Sequence, residues 1–251
     1  MIYYKQPAKS HYGGRGAQMK TKTVFWDFDG TLTAPNEAFT HSLGNALRRF
    51  GYEVPWTALQ RCVNTIIPWH TSDTAYPRES TSDGFWEKRR EMLGHTLALF
   101  GVKPEEVPQI AALYRRLVPR YPYEVFPETK EVLARSAELG FSNCVLSNNF
   151  PELEDTLSAL GLAPYFNRVI ISSLVGYDKP RPELFRFALR ETGFPDTAVM
   201  VGDNYAADIL GAKAVGMKAV WIAGTVPSED CAADFTVHSL AEVPRALERI
   251  I

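Results

Sequence analysis

The sequence predicts an α/β protein: a doubly wound, Rossmann-like parallel sheet with an all-helical cap domain inserted into it. Three observations carry this. From about residue 121 onward, short apolar strands alternate with amphipathic helices across short links, the pattern of a parallel sheet covered on both faces. A strand of the same type stands alone far upstream, at 23–28. Between them, residues 35–120 carry helical periodicity and no convincing strand pattern. The expected division is a flexible N-terminal extension at 1–20, a core domain at 21–34 and 121–251, and a helical cap at 35–120.

Each element follows in order. Residues 23–28, TVFWDF, are a short apolar strand that runs into acids, and Asp29-Gly30-Thr31 breaks it. A helix follows Pro35 with Asn36 as its cap. Phe39, Leu43, Leu47 and Phe50 recur on one face of it, and Gly51 ends it. Residues 58–67 form a shorter helix, and 68–82, rich in Pro, Ser, Thr and Asp, reads as a loop. A strong helix spans 83–100, capped by Ser82 and stopped by Gly101, and another spans 105–117. Beyond residue 121, helices at 128–139, 152–160, 182–192, 206–215 and 241–250 alternate with strands at 141–146, 169–172, 198–201 and 217–222, with a short one at 234–237. Pro182 suits a first helical turn because its φ is already fixed there. Gly140, Gly161 and Gly216 close the helices that precede them.

Composition bounds the function. The chain has 251 residues, 45% hydrophobic and 22% charged, ordinary globular usage on a length that buries a sizeable core. A net charge of -2 with acids and bases mixed argues against nucleic acid or an anionic membrane as the partner. Cys62, Cys144 and Cys231 are odd in number, far apart and form no C-x-x-C pair. A disulfide framework or zinc site is not expected, and reduced thiols in a cytoplasmic protein are. No apolar run approaches the roughly 18 residues of a membrane helix. The opening stretch has no apolar core of a signal peptide, and organised pattern begins just after Met19, an alternative start.

In open parallel sheets, ligands bind beyond the carboxyl ends of the strands. Three strands here end in polar groups: Asp27-Phe28-Asp29, Ser147-Asn148-Asn149 and Asp203. Asp27 and Asp29 are two apart and share a face if the chain stays extended. Asp203, with Asp208 nearby, adds negative charge, and close carboxylates oppose one another's ionisation. A divalent cation relieves that repulsion, and oxygen-only ligands suit Mg²⁺. Lys179 supplies a positive charge from another loop. Metal and lysine together describe a site for a phosphoryl group. Gly30 permits close backbone approach, and Thr31 and Ser147 offer hydroxyls.

DFDGTL at 27–32, LSNN at 146–149, DKPRPELF at 178–185 and VGDNYAADILGAKAVGM at 201–217 resemble, in order and spacing, the four motifs of the haloacid dehalogenase-like hydrolase superfamily. The likeness covers about 22–225, and the inserted helices resemble that superfamily's C1 cap. The resemblance implies the following roles. Asp27 attacks phosphorus and becomes an aspartyl phosphate. Asp29 protonates the leaving oxygen and then activates water. Asp27, the Asp29 carbonyl and Asp203 hold Mg²⁺. Ser147 and Lys179 bind phosphoryl oxygens, with Gly30, Thr31 and Asn148 lining the phosphate site. Asp208 supports the metal or Lys179 from behind. Trp26, Glu128 and Asn204 stand where smaller residues, glycine and serine are commoner. The superfamily's dehalogenases lack the acid that Asp29 retains, and a carbon–halogen bond needs no proton for its leaving group. The expected activity is therefore Mg²⁺-dependent hydrolysis of a small phosphorylated metabolite.

Blander readings stand beside these. Asp27 and Asp29 fit a turn, Ser147 and Asp203 fit helix caps, Asp208 complements a helix dipole, and Lys179 fits a solvated loop. Arg48-Arg49 and Lys88-Arg89-Arg90 read as solvated helix faces, and the aromatics of 35–120 as cap core. His41, His70 and His95 show no ligand spacing. A phosphomutase shares every motif and the cap; a non-catalytic phosphometabolite-binding module on the same fold is a third reading, and the complete set of acids, with both Asp29 and Lys179 kept, argues against it. The substrate and the oligomeric state are not legible.

Overall fold

Six parallel strands make one sheet: β1 (Lys22–Trp26), β2 (Phe141–Ser147), β3 (Arg168–Ile171), β4 (Thr197–Gly202), β5 (Lys218–Ile222) and β6 (Phe235–Val237), in the order β3-β2-β1-β4-β5-β6. This is a computed structural model, and it describes residues 21–67, 69, 75, 80–225 and 231–251. The extension expected at 1–20 and most of the loop expected at 68–82 lie outside the described residues.

The strand order follows from the side chains. The strands are buried on both faces, as parallel strands under helices must be, and alternate residues feed two separate cores. Val24 and Trp26 of β1, Val145 of β2 and Val199 and Val201 of β4 pack on one side. Phe25, Cys144, Leu146 and Met200 pack on the other. Trp26 sits wholly inside because its indole N–H donates to Asn143 Oδ1 at 3.0 Å, and Asn143 in turn donates to the Leu133 carbonyl at 2.9 Å. The chain steps outward from β1 to β2 to β3, then returns to place β4 against the other side of β1. That reversal is the switch point, where a crevice opens at the carboxyl ends.

The helical block that follows β1 holds α1 (Ala38–Arg49), α2 (Trp56–Ile66), α3 (Ser82–Leu97) and α4 (Val107–Leu117). The remaining helices cover the sheet: α5 (Thr129–Glu138), α6 (Leu153–Ala159), α7 (Ser172–Val175), α8 (Pro182–Glu191), α9 (Gly211–Lys213) and α10 (Val243–Ile250). No described helix is long and apolar enough to cross a membrane.

Three local expectations change. Thr81, not Ser82, caps α3: its hydroxyl accepts from Gly84 N at 3.0 Å, leaving Ser82 Oγ for a long-range contact. The helix expected at 206–215 is a π-helical turn, Tyr205–Leu210, running into α9. The wide turn accompanies a buried carboxylate, Asp208, which accepts from Asn204 N at 3.1 Å. Arg89 is not solvated but 3% exposed. Its guanidinium lies 4.2 Å from the Phe85 ring centre and donates to the carbonyls of Ile66 at 2.9 Å and Phe85 at 3.1 Å. The last turn of α2 leaves carbonyls without helical partners, and Arg89 takes one of them.

Candidate active site

β1 ends at Trp26, and the Asp27 N–H still bonds the Val201 carbonyl at 3.0 Å, so Asp27 is held at the carboxyl end of the central strands, beside β4. The chain then folds over the Phe28 carbonyl, which accepts from Leu32 N at 2.9 Å and Thr33 N at 3.2 Å. Gly30 sits in this turn at φ 81°, and a Cβ there would come within 2.4 Å of Asp203 Oδ2. Only glycine lets the turn pass the carboxylate at the end of β4.

Lys179 reaches the same point from the link between β3 and β4. Its Nζ lies 2.8 Å from Asp27 Oδ1 and 2.6 Å from Asp208 Oδ1, and it donates to the Leu146 carbonyl at 3.0 Å. The ammonium is 3% exposed and fully engaged. Burial works to lower its pKa, but Asp208 and Asp27 outweigh burial and hold it above lysine's ordinary range. Asn148 clamps the lysine's backbone, accepting from Lys179 N at 2.7 Å and donating to Lys179 O at 3.0 Å. Asp203 is fixed from two sides. Thr31 Oγ1 donates to its carboxylate at 2.9 Å, and the Trp221 indole donates to its carbonyl at 2.9 Å.

Asp29 is suspended between two amides, Asn149 Nδ2 at 2.8 Å from Oδ2 and Asn36 Nδ2 bonded to Oδ1. Burial and the neighbouring Asp27 nonetheless push its pKa up to about 7. Burial, with Asp27 beside it, raises Asp203 to about 6. Burial pushes Asp208 up too, against the pull of Lys179. The repulsion has an obvious geometric source. Asp27, Asp203 and Asp208 each present an oxygen within 4.8 Å of the others'. Both Asp208 oxygens are already occupied, by Lys179 and Asn204 N. Asp27 and Asp203 are left as the pair with room for a shared cation, and their all-oxygen donor set fits a hard divalent ion.

These groups line one cavity of about 370 Å³, together with Ser147, Pro180, Ala206 and, from the helical block, Trp69. The structure thus brings Asp27, Asp29, Ser147, Asn148, Lys179 and Asp203 to one cavity, with Asp208 directly behind it. Gly30 and Thr31 lie on the far side of Asp203. Sequence reasoning missed four contributors. Asn36 was expected only as a helix cap; its Oδ1 does accept from Ala38 N at 3.0 Å, but its amide nitrogen serves Asp29. Asn149 sits in the LSNN run, which is the one signal that singles it out. Trp69 and Trp221 carried no signal beyond apolar pattern.

Carboxylates and an ammonium converging at the switch point of a doubly wound sheet, under a helical block, mark an α/β enzyme that handles an anionic group. The chain belongs to the haloacid dehalogenase-like hydrolase family, whose model matches residues 21–216. A phosphoserine phosphatase of Thermus thermophilus is 38% identical over 159 residues, a match spanning 62% of this chain and 63% of that enzyme. A glyceraldehyde 3-phosphate phosphatase of Pyrococcus furiosus is 28% identical over 240 residues, spanning 92% of this chain and 94% of its own. A 2-haloacid dehalogenase of Pseudomonas syringae superposes with a TM-score of 0.69 at 27% identity, covering 91% of this chain and 99% of that one.

Proposed function

We propose that this hydrolase is a Mg²⁺-dependent phosphatase that cleaves a phosphate monoester of a small metabolite through an aspartyl phosphate on Asp27. The observation that carries the reading is the pairing of two unlike carboxylates at one strand end. Asp27 faces the Lys179 ammonium at 2.8 Å, and Asp29 has its pKa raised to about 7 by burial and by Asp27. One is a nucleophile and the other is an acid that still carries a proton near neutral pH.

Asp27, Asp203 and the Asp29 carbonyl hold Mg²⁺ in this reading. Bound there, the ion would supply charge neutralisation for the phosphoryl group. An Asp27 oxygen bonds phosphorus while the ester oxygen leaves with the Asp29 proton. Asp29, now ionised, takes a proton from water as that water attacks the phospho-aspartate, returning Asp27 and releasing phosphate. Ser147 and Lys179 hold the phosphoryl oxygens, with Asn148 keeping Lys179 in place and Asp208 balancing its charge. Residues 35–120 act as the cap over the core at 21–34 and 121–251, with 34–36 and 119–126 as hinges. The phosphatase names among its relatives and the retained Asp29 favour phosphate esters over haloacids. The three free cysteines suit a cytoplasmic setting.

The test is phosphate release from a panel of phosphorylated metabolites, with and without EDTA. Mg²⁺-dependent turnover and its loss by at least about 10³-fold in Asp27→Asn are expected. Turnover that survives EDTA or this substitution refutes the assignment. Product position on sugar phosphates, read by NMR, separates hydrolysis from phosphoryl transfer within the sugar.

A further inference from the structure

Glu152, at the start of α6 in the core, has no part in the chemistry described above, yet it gathers donors from two helices of the cap. Its Oε1 accepts from Ser82 Oγ at 2.6 Å and from Arg115 Nε at 3.3 Å. Its Oε2 accepts from the Trp86 indole at 2.8 Å. Arg115 closes the cluster, donating from Nη2 to Ser82 Oγ at 2.6 Å and from Nη1 to Asp83 at 2.8 Å. Ser82 and Trp86 belong to α3 and Arg115 to α4. A lone exposed ion pair would count for little. This carboxylate is only 20% exposed on its side chain and satisfies a hydroxyl, an indole and a guanidinium at once, so charge-assisted bonds are shielded from water.

The cluster is wired to the cleft by rings. Trp86 meets Phe85 edge-on with centres 5.2 Å apart, Phe85 stacks on Trp69 at 6.3 Å, and Trp69 lines the cavity beside Lys179 and Asp203. From the core side, Phe150, two positions before Glu152, meets Phe39 of α1 at 5.9 Å, and Phe39 meets Trp69 at 5.4 Å. Trp69 is therefore gripped by two rings, and both chains of rings lead to the segment around Glu152.

We infer that Glu152 is a positioning residue: it seats the helical cap on the core and so sets Trp69 against the phosphoryl site. Its kinetic consequence rests on the phosphatase reading; its structural consequence does not. The experiment uses the full chain with Glu152→Ala, Glu152→Gln and Arg115→Met. In the first arm, hydrogen exchange is followed at the seam, residues 82–90 and 150–157, with β1 and β4 as internal controls. Loss of charge-assisted bonds of this kind shifts an open–closed ratio by about tenfold or more. Seam amides should exchange faster by that factor in Glu152→Ala and Arg115→Met, with the strands unchanged. Glu152→Gln, which keeps an acceptor, should fall between. The double variant Glu152→Ala/Arg115→Met should fall short of the sum of the two singles, because they share the Glu152–Arg115 contact.

The second arm measures turnover of p-nitrophenyl phosphate with Mg²⁺. If only the seated cap retains substrate, KM rises about tenfold while kcat stays within about twofold. Unchanged seam exchange in both Glu152→Ala and Arg115→Met overturns the inference, whatever the kinetics. So does a fall in kcat at constant KM, which would place the effect in the Asn149 contact to Asp29 instead. If the wild-type protein cleaves no phosphate ester, the exchange arm alone decides, and the phosphatase reading fails separately.

Discussion

The floor of the cleft and the cap above it are held together by opposite means. On the floor, Asp27, Asp29, Asp203 and Asp208 crowd around one cleft in which only Asp27 and Asp208 pair with the Lys179 ammonium, and three of the four have pKa values raised by burial. In the cap, Phe85, Leu93, Leu97, Ile110 and Tyr114 are buried among one another. Rings there meet edge-on at 5.2 and 5.6 Å, and the buried cation Arg89 is satisfied by two carbonyls. One region stores repulsion that a ligand would relieve; the other is already close to its own optimum. The fold tolerates the first because apolar packing elsewhere supplies the stability that the floor loses.

Removing charge balance from the floor should produce the largest effect. Lys179→Met leaves Asp27 and Asp208 facing each other without a cation, and turnover should fall roughly 10²–10³-fold. Steady-state rates check this, and a loss confined to KM would show that Lys179 only binds. The cap should answer in stability instead. Phe85→Ala removes a fully buried ring and should cost about 3–5 kcal/mol in urea unfolding. A loss below about 1 kcal/mol would mean that the cap is less tightly packed than its ring contacts indicate.

The floor's repulsion also has a pH signature. Burial and neighbouring carboxylates raise Asp29 to about 7 and Asp203 to about 6 in the fold, against an ordinary 3.8, and burial pushes Asp208 up as well. Between those values the folded state keeps protons that the unfolded chain has released, so more protons are bound when folded and stability falls as pH rises. Metal-free protein should therefore lose urea resistance from about pH 4 to about pH 7. Mg²⁺ should restore it more at pH 8 than at pH 5, because the ion takes over the protons' role. A urea midpoint that rises with pH in EDTA contradicts this picture.

The smallest effect tests the cap's one visible flaw. The Tyr114 hydroxyl is buried with no hydrogen-bond partner among the described residues, and burial raises its pKa further. Tyr114→Phe should be neutral or stabilise by up to about 1 kcal/mol. Destabilisation beyond that would point to a partner for the hydroxyl.

Much of this was legible in the chain. Strand and helix periods are local, so β1 to β6 and the block of helices between β1 and β2 could be read directly, and the polar residues at strand ends marked Asp27, Ser147 and Asp203. Helix ends were less legible, because Thr81 and Ser82 differ only in what each finds in space. Arg89 illustrates the same limit: next to Lys88 and Arg90 it reads as surface, and only the end of α2 makes it interior.

The sequence by itself determined the elements, their order and the residue types available at the strand ends, because hydrophobic period and turn chemistry act over a few neighbouring residues. Tertiary structure alone decided that Asn36 and Asn149 share Asp29, that Trp221 and Thr31 hold Asp203, and that Glu152 meets Trp86 and Arg115. Those bonds join residues up to 172 positions apart, and their strength depends on exclusion of water. Neither distance in space nor burial is written in a local pattern.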